Sequence, residues 1–248
     1  MSITIVLPIY NEIKNLQKGV LDKVLNYAKL NKQIKEVLVV DDGSSDNSAK
    51  IIKHEYLGKY PKIRLLAKEH SGKAYTVIAG IKAAKSDYVL FSDIDLATPI
   101  EEADKLIKKI PNYQIIIGSR SSRREGAPFF RKVMALGMII VRSYFIGLKN
   151  IQDTQCGFKL FEKKAALKTI ENLRVFKRAK KISGSSVSAG FDLEFLFVAQ
   201  NLGYAISEVP VTWQHVETKN VNFVKDSLES LKDILKIKWN VLIKKYAF

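Results

Sequence analysis

Cysteine is almost absent: Cys156 stands alone in 248 residues. A single thiol excludes a disulfide framework and any zinc cluster built on cysteine. The three histidines, His54, His70 and His215, have no metal-binding spacing. There is no G-x-S-x-G elbow, and Cys156 has no base beside it, which removes the common hydrolase designs. Long hydrophobic runs are missing too. Nothing approaches the ~18 uninterrupted apolar residues of a membrane span, and Met1-Ser2-Ile3-Thr4 lacks the basic region of a signal peptide. A cytoplasmic location is the expectation. Acids are also in short supply: 25 Asp and Glu stand against 41 Lys and Arg, leaving a net charge of +16. Between Gly118 and Ile182 sixteen bases face four acids, so twelve of those charges fall in about a quarter of the chain. Such a cluster suits an anionic partner or a solvated basic face. No nucleic acid is expected as that partner, because no helix-turn-helix or RNP-like pattern accompanies the charge.

What is present is the material of a folded domain, 47% hydrophobic and 27% charged. The first half alternates short β-branched runs with helical spacing. Strands are expected at Ile3 to Ile9, Glu36 to Val40, Ile63 to Ala67, Tyr88 to Ser92 and Gln114 to Gly118. Helices are expected around Val20 to Ala28, Ser48 to Tyr56, Thr76 to Ala84 and Asp104 to Ile110. That alternation predicts an α/β fold with a mostly parallel central sheet flanked by helices. The second half offers an apolar helical stretch at Phe129 to Leu148, a strand at Gly157 to Phe161 and a basic, Ser- and Gly-rich loop at Lys177 to Ala189. A helix at Phe191 to Leu202, a strand at Tyr204 to Val211 and an amphipathic helix from Asn222 follow. With no repeat, low-complexity linker or composition break, 1–248 reads as one domain.

In open α/β sheets ligands gather beyond the carboxyl ends of the strands. Here those ends are Pro8-Ile9-Tyr10-Asn11-Glu12, Asp41-Asp42-Gly43-Ser44-Ser45-Asp46, Asp93-Ile94-Asp95 and Gly118-Ser119-Arg120. Three carry acids and the fourth an arginine, more than turn chemistry demands. Asp93 and Asp95 offer hard oxygen ligands suited to Mg²⁺ or Mn²⁺. Both can meet one ion if the backbone turns there; otherwise one of them caps the helix that follows. Asp42 can take a ribose hydroxyl or a base N–H, or it can belong to a tight turn. Ser71-Gly72-Lys73 fails as a phosphate loop, since Ala67 and Ala74 occupy positions that need Gly and Ser or Thr. It reads as a helix start with a lysine near phosphate.

These motifs, in this order and spacing, resemble the signature series of inverting nucleotide-sugar glycosyltransferases of the GT-A fold. In the second half Asp153-Thr154-Gln155-Cys156-Gly157-Phe158-Lys159-Leu160-Phe161, Phe191-Asp192-Leu193-Glu194 and Glu208-Val209-Pro210-Val211-Thr212-Trp213 are similar to dolichyl-phosphate β-glucosyltransferases, with polyprenyl-phosphate mannosyltransferases as near relatives. The resemblance spans essentially the whole chain. It implies transfer of a hexose, glucose from UDP-glucose first and mannose from GDP-mannose second, to a dolichyl or polyprenyl phosphate with inversion. It also implies a nucleotide-sugar half at 1–120 and an acceptor- and membrane-facing half at 121–248. By the same resemblance Pro8, Tyr10, Glu12 and Asp42 hold the nucleoside. Asp93 and Asp95 sit at the diphosphate with Mg²⁺ or Mn²⁺, Asp95 being the stronger metal ligand, and Lys219 approaches the same diphosphate. Arg120 and Arg131 face the acceptor phosphate, and Asp153 lies beside the transferred sugar as orienting group or base. One departure stands out. Glucosyl relatives show Asp-Ala-Asp-Gly-Ala-Thr, whereas Leu96 follows Asp95 here, as in the mannosyl relatives.

A lipid acceptor gives the basic amphipathic stretches a role. Phe129 to Leu148 and the terminal helix are expected to lie in a membrane interface as interfacial helices, attaching the protein peripherally to the cytoplasmic face. A non-catalytic lipid- or nucleotide-binding protein is the alternative of another class, and the intact Asp93, Asp95, Asp153 and Arg120 argue against it.

Overall fold

The computed structural model describes residues 1–120, 147–148, 151–177, 189–214, 216 and 223–246. Seven strands build its sheet: β1 (Ile3–Ile9), β2 (Ile34–Asp41), β3 (Ile63–Ala67), β4 (Tyr88–Ser92), β5 (Ile115–Arg120), β6 (Phe158–Glu162) and β7 (Ile206–Val211). They lie in the order β3-β2-β1-β4-β6-β5-β7. All neighbours run parallel except β6, which is antiparallel to both β4 and β5. A strand from the second half of the chain is thus wedged between two from the first. The mostly parallel sheet expected from the alternation is present.

Helices cover both faces, as parallel strands that are apolar on both sides require. Alternate residues of β1 and β2 divide between two cores. Ile5, Leu7, Ile9, Val37 and Val39 join one core, with Val20, Leu21, Val24, Leu25 and Ala28 of α2 (Val20–Leu30), which follows the short α1 (Ile13–Gln17). Val6, Leu38 and Val40 join the other, against Ala74, Val77, Ile78 and Ile81 of α4 (Lys73–Ala83). Between them in sequence, α3 (Ser48–Ile51) continues into a π turn over Ile52–Tyr56, and α5 (Ala103–Ile107) follows a 3₁₀ turn at Ile100–Glu102. The second core also takes α6 (Lys163–Asn172), α7 (Ala189–Asn201) and part of α8 (Phe223–Leu242).

The sheet order fixes where a crevice opens. From β1 the chain winds outward through β2 and β3, then returns to place β4 on the other side of β1. Pairing of β1 with β4 stops at Val6, while its pairing with β2 runs on to Ile9. Pro8 therefore lies where no β4 partner needs its missing N–H. The carboxyl ends of β1 and β4 diverge at this switch point. The helix expected at Phe129 to Leu148 and the loop expected at Lys177 to Ala189 fall largely outside the described residues.

Candidate active site

Side chains knit the loops after β1 and β2 together. Asn11, in a left-handed backbone conformation (φ 55°), accepts from the Ser45 and Asp46 amides at 2.8 and 3.1 Å. Its own N–H donates to Ser44 Oγ at 2.9 Å, the Glu12 N–H to Ser48 Oγ at 2.9 Å, and the Ile13 N–H to Asp46 at 3.2 Å. Asp42 is buried behind this rim. One oxygen accepts from Lys68 and the Ser71 N–H, the other from the Gly72 N–H at 2.8 Å and His70 Nδ1 at 2.8 Å. Burial pushes its carboxyl up, but Lys68 and the two backbone amides outweigh that and hold it below the usual carboxylate range. The His70 ring stacks on Tyr10, with centroids 4.1 Å apart and planes 12° from parallel. Asp42 thus fixes the Lys68–Gly72 loop, and the loop delivers Lys73 at the start of α4.

Lys73 Nζ reaches Asp93 Oδ1 at 2.6 Å. The backbone does turn here: the Leu96 N–H donates to the Asp93 carbonyl at 3.3 Å, and Leu96 has φ 48°. A leucine in that conformation carries roughly 1 kcal/mol of strain, and its packing against the adjoining core holds it there. The turn places Asp93 and Asp95 on one small cleft with Ser92, Ala97, Thr98, Gly157 and Trp213. Asp95 Oδ1 accepts from the Ala97 N–H at 3.1 Å and so closes the turn without capping a helix. Burial pushes the Asp95 carboxyl up against that hydrogen bond, and the Asp93 charge adds to the rise. A carboxylate so placed gains from a cation beside it. On the far wall a Cβ at Gly157 would sit 2.0 Å from Asp93 Oδ2, so only glycine leaves the carboxylate room. Among the described residues no cluster of three or more His, Cys, Asp or Glu forms. Two carboxylates open to a cleft do fit Mg²⁺ or Mn²⁺, which keep waters and substrate phosphates as their other ligands.

Arg120 ends β5 and meets Asp153 in a bidentate fork. Its Nε donates to Oδ2 at 2.7 Å, its Nη2 to Oδ1 at 2.8 Å, and its backbone N–H adds a third bond at 3.0 Å. Burial alone would raise the Asp153 carboxyl; Arg120 reverses this and holds it below the usual range. Glu208 on β7 fixes the Asp153 loop by accepting from the Gln152 and Asp153 amides at 2.8 Å each. Trp213 lies 5.9 Å from the Arg120 guanidinium, in cation–π range. Its segment is clipped to the Asp95 turn, with the Gln214 N–H on the Ala97 carbonyl at 2.7 Å and the Thr212 N–H on Glu102 at 3.0 Å. Beneath the cleft the buried Lys159 of β6 pairs with Asp192 of α7 at 2.9 Å and also donates to the Cys156 carbonyl. Burial raises the Cys156 thiol, which keeps it a packing group.

Of the residues expected from sequence, Asp93 and Asp95 share this cleft, and Arg120 and Asp153 bind one another beside Trp213. Pro8 is buried in β1, Tyr10 and Glu12 lie in the loop after it, and Asp42, expected at the nucleoside, is buried behind that loop with both oxygens taken by Lys68, His70 and the Ser71 and Gly72 amides. Arg131 and Lys219 lie outside the described residues. Sequence reasoning gave no role to Trp213 or to the Lys159–Asp192 pair, although both sit inside quoted motifs.

The profile described as Glycosyl transferase family 2 matches residues 4–169. A dolichyl-phosphate beta-glucosyltransferase, ALG5A of Trichomonas vaginalis, is 32% identical over 95% of this chain and 72% of its own length. The human dolichyl-phosphate beta-glucosyltransferase is 32% identical over 97% of this chain and 76% of its own. Among solved structures, glucosyl-3-phosphoglycerate synthase from Mycobacterium tuberculosis, in complex with Mn²⁺, UDP and glucosyl-3-phosphoglycerate, aligns with TM-score 0.66 at 16% identity, covering 95% of this chain and 79% of that one. The mannosyltransferase PcManGT from Pyrobaculum calidifontis, in complex with GDP-Man and Mn²⁺, aligns with TM-score 0.63 at 16% identity, covering 94% and 63%. At such identities the likeness is one of fold, and the fold is GT-A.

Proposed function

The chain belongs to glycosyl transferase family 2, and from that premise we propose that it transfers glucose from UDP-glucose to dolichyl or a related polyprenyl phosphate. Single displacement at the anomeric carbon inverts it, so an α-linked donor yields a β-linked lipid-phosphate sugar. The observation that carries the reading is the convergence of Asp93, Asp95 and Lys73 at the switch point between β1 and β4. A departing diphosphate needs its charge neutralised there, and the names of the relatives supply the acceptor.

The nucleoside end of the donor lies along Pro8, Tyr10 and Glu12, with Asp42 holding the loop behind them. Asp95 and Asp93 would hold a Mg²⁺ or Mn²⁺, which when bound supplies charge neutralisation on the leaving group. Lys73 contributes a second cation from the α4 side, and Lys219 a third from the segment after β7. The attacking oxygen of a lipid phosphate is ionised near neutral pH, so the reaction asks mainly for positioning and electrostatics. Asp153 suits orientation of the sugar better than proton abstraction, because Arg120 keeps it a weak base. Arg120, anchored on Asp153, and Arg131 present guanidinium groups to the acceptor phosphate. Attachment to a membrane surface suits the lipid nature of that acceptor, and the cytoplasmic face is the one this reading takes.

The decisive experiment incubates the protein with labelled UDP-glucose or GDP-mannose and a polyprenyl phosphate, with and without Mn²⁺ or Mg²⁺. Metal-dependent formation of a glucosyl lipid, abolished by Asp95→Asn, is expected. A mannosyl lipid instead would transfer the reading to the mannosyl branch, which Leu96 favours. No transfer from either donor would refute it.

A further inference from the structure

A lone exposed aromatic is ordinary on a protein surface; Trp213 is set apart by where it stands and how firmly it is held. Its side chain belongs to a residue 41% exposed. Val211, two residues earlier, is buried in β7 and stands opposite Arg120 of β5 in the parallel register. The Thr212 N–H donates to Glu102 at 3.0 Å, and Lys105 holds the same carboxylate at 2.7 Å. The Gln214 N–H donates to the Ala97 carbonyl at 2.7 Å, just past the Asp95 turn. A strand end and a hydrogen bond on either side thus present one indole to the cleft.

The two charged ends of the site give that indole its meaning. On one side it lines the cleft with Asp93 and Asp95, where Lys73 also reaches Asp93. On the other it lies 5.9 Å from the Arg120 guanidinium, which is forked onto Asp153. The function proposed above puts the departing diphosphate at the first end and the attacking phosphate at the second. In a single displacement the anomeric carbon stands between the entering and leaving oxygens. The sugar ring must then lie between those two ends, and Trp213 borders both.

We propose that Trp213 is the platform for the transferred hexose, its indole face stacked on the apolar C–H face of the pyranose ring. A pyranose carries most of its hydroxyls around its rim and its axial C–H bonds on its faces, so it offers a flat aromatic an apolar surface to cover. The rim is left to polar groups of the same cleft, Asp95 and Thr98 among them. Stacking fixes the tilt of the ring, and with it the line along which the acceptor oxygen meets the anomeric carbon. The inference rests on the proposed donor and acceptor and adds to them the residue that holds the sugar.

The chain has two tryptophans, and the other, Trp239, is 62% exposed on α8, so Trp239→Phe leaves Trp213 as the single emitter. In that protein UDP-glucose with Mg²⁺ should quench and shift the emission, whereas UDP with Mg²⁺ should leave it unchanged. Trp213→Leu keeps apolar bulk but removes the flat face. By calorimetry it should weaken UDP-glucose binding by roughly tenfold and UDP binding by less than about twofold. Trp213→Phe should recover most of the loss. A residue that only supported the fold would shift both ligands together, so parallel weakening of UDP and UDP-glucose would overturn the platform. Equal affinity for UDP-glucose in Trp213→Leu and wild type would overturn it as well, and continued formation of the glucosyl lipid would then leave the proposed function standing. Wild-type protein that binds neither UDP-glucose nor UDP would sink the proposed function and this inference with it.

Discussion

Gly157→Ala isolates the contribution of the cleft wall. A Cβ at this position falls 2.0 Å from Asp93 Oδ2, 2.5 Å from Cγ and 3.0 Å from Oδ1. Carbon and oxygen rest near ~3.4 Å apart, so the carboxylate must retreat by about 1.5 Å. The backbone has little freedom to help, because the Asp93 N–H donates to the Gly157 carbonyl at 3.0 Å. Rotation of the Asp93 side chain is what remains, and it takes Oδ1 away from Lys73 Nζ. The structural penalty is then one off-rotamer side chain plus a partly exposed ion pair, roughly 1–2 kcal/mol together. On the proposed function, which puts a metal and a diphosphate beside Asp93, the functional penalty is larger: misplacing such a group by ~1 Å costs on the order of 100-fold in rate. The assay pairs Mn²⁺ binding and kcat/KM for UDP-glucose with thermal unfolding. Expected are a Tm lower by about 2–8 °C, weaker Mn²⁺ binding and a hundredfold lower kcat/KM. In an Asp93→Ala background the same glycine substitution should lose most of its stability penalty, because the clashing atoms are gone. Wild-type Mn²⁺ binding and turnover in Gly157→Ala would refute the reasoning. So would a penalty undiminished by Asp93→Ala, which would show that backbone gives way and the carboxylate does not.

Asp153→Asn leaves the Arg120 guanidinium buried without its counter-ion and should destabilise the fold by about 3 kcal/mol or more, read as a shift of the urea midpoint; an unshifted midpoint would mean that solvent already screens the pair. Glu194→Gln keeps the shape but points an amide N–H₂ at donors that include three backbone amides and the Tyr246 hydroxyl. A loss of about 2–4 kcal/mol is expected, with a calorimetric Tm lower by roughly 5–12 °C; a smaller drop would show that the latch between α7 and α8 is loose. Asp42 and Asp153 both titrate below the usual carboxylate range because burial is outweighed by Lys68 and the loop amides in one and by Arg120 in the other. As the pH falls the unfolded chain takes up those protons first, so their stabilisation is complete above about pH 4 and is lost as the pH falls through the folded values. Urea titrations from pH 7 to pH 3 should show that decline, shallower in Asp153→Asn than in wild type.

The strands were open to sequence reading because their chemistry is blunt. Ile3 to Ile9, Glu36 to Val40 and Ile115 to Ile117 are runs rich in β-branched residues, most of them buried. Strand direction has no such signature, so the antiparallel insertion of β6 between β4 and β5 could not be read from Gly157 to Phe161. Helix α6 escaped notice because its buried face is Ala165, Ala166, Thr169 and Ile170, too small to make an apolar stripe. Helix α4 begins at Lys73, a turn before the expected Thr76, because the Gly72 N–H is held by Asp42 thirty residues earlier. The site followed the same divide. Acids at strand ends were visible, but the pairing of Arg120 with Asp153 spans 33 residues and depends on strand order. Lys159 looks like any solvent-facing residue of a strand until α7 covers it.

A net charge of +16 suggests attraction of an anionic donor by bare excess, yet four buried or half-buried cations on this side of the sheet each hold an acid. Lys68 holds Asp42, Lys73 holds Asp93, Arg120 holds Asp153 and Lys159 holds Asp192, each pair joining separate elements. An unpaired guanidinium or ammonium at that depth would be costly to keep dehydrated, so each acid makes a buried cation tolerable before substrate arrives. The exposure of the pairs differs in the order that use would require. Lys73 and Asp93 retain 37% and 32% of their side-chain surface, whereas Lys159 retains 2% and its partner Asp192 23%. The open pair can exchange partners with an incoming diphosphate at little desolvation cost, while the closed one cannot. On the proposed function, catalytic charge at this site would be a matter of re-pairing: the donor's phosphates would compete with Asp93 for Lys73, while the more buried Lys159 stays with Asp192.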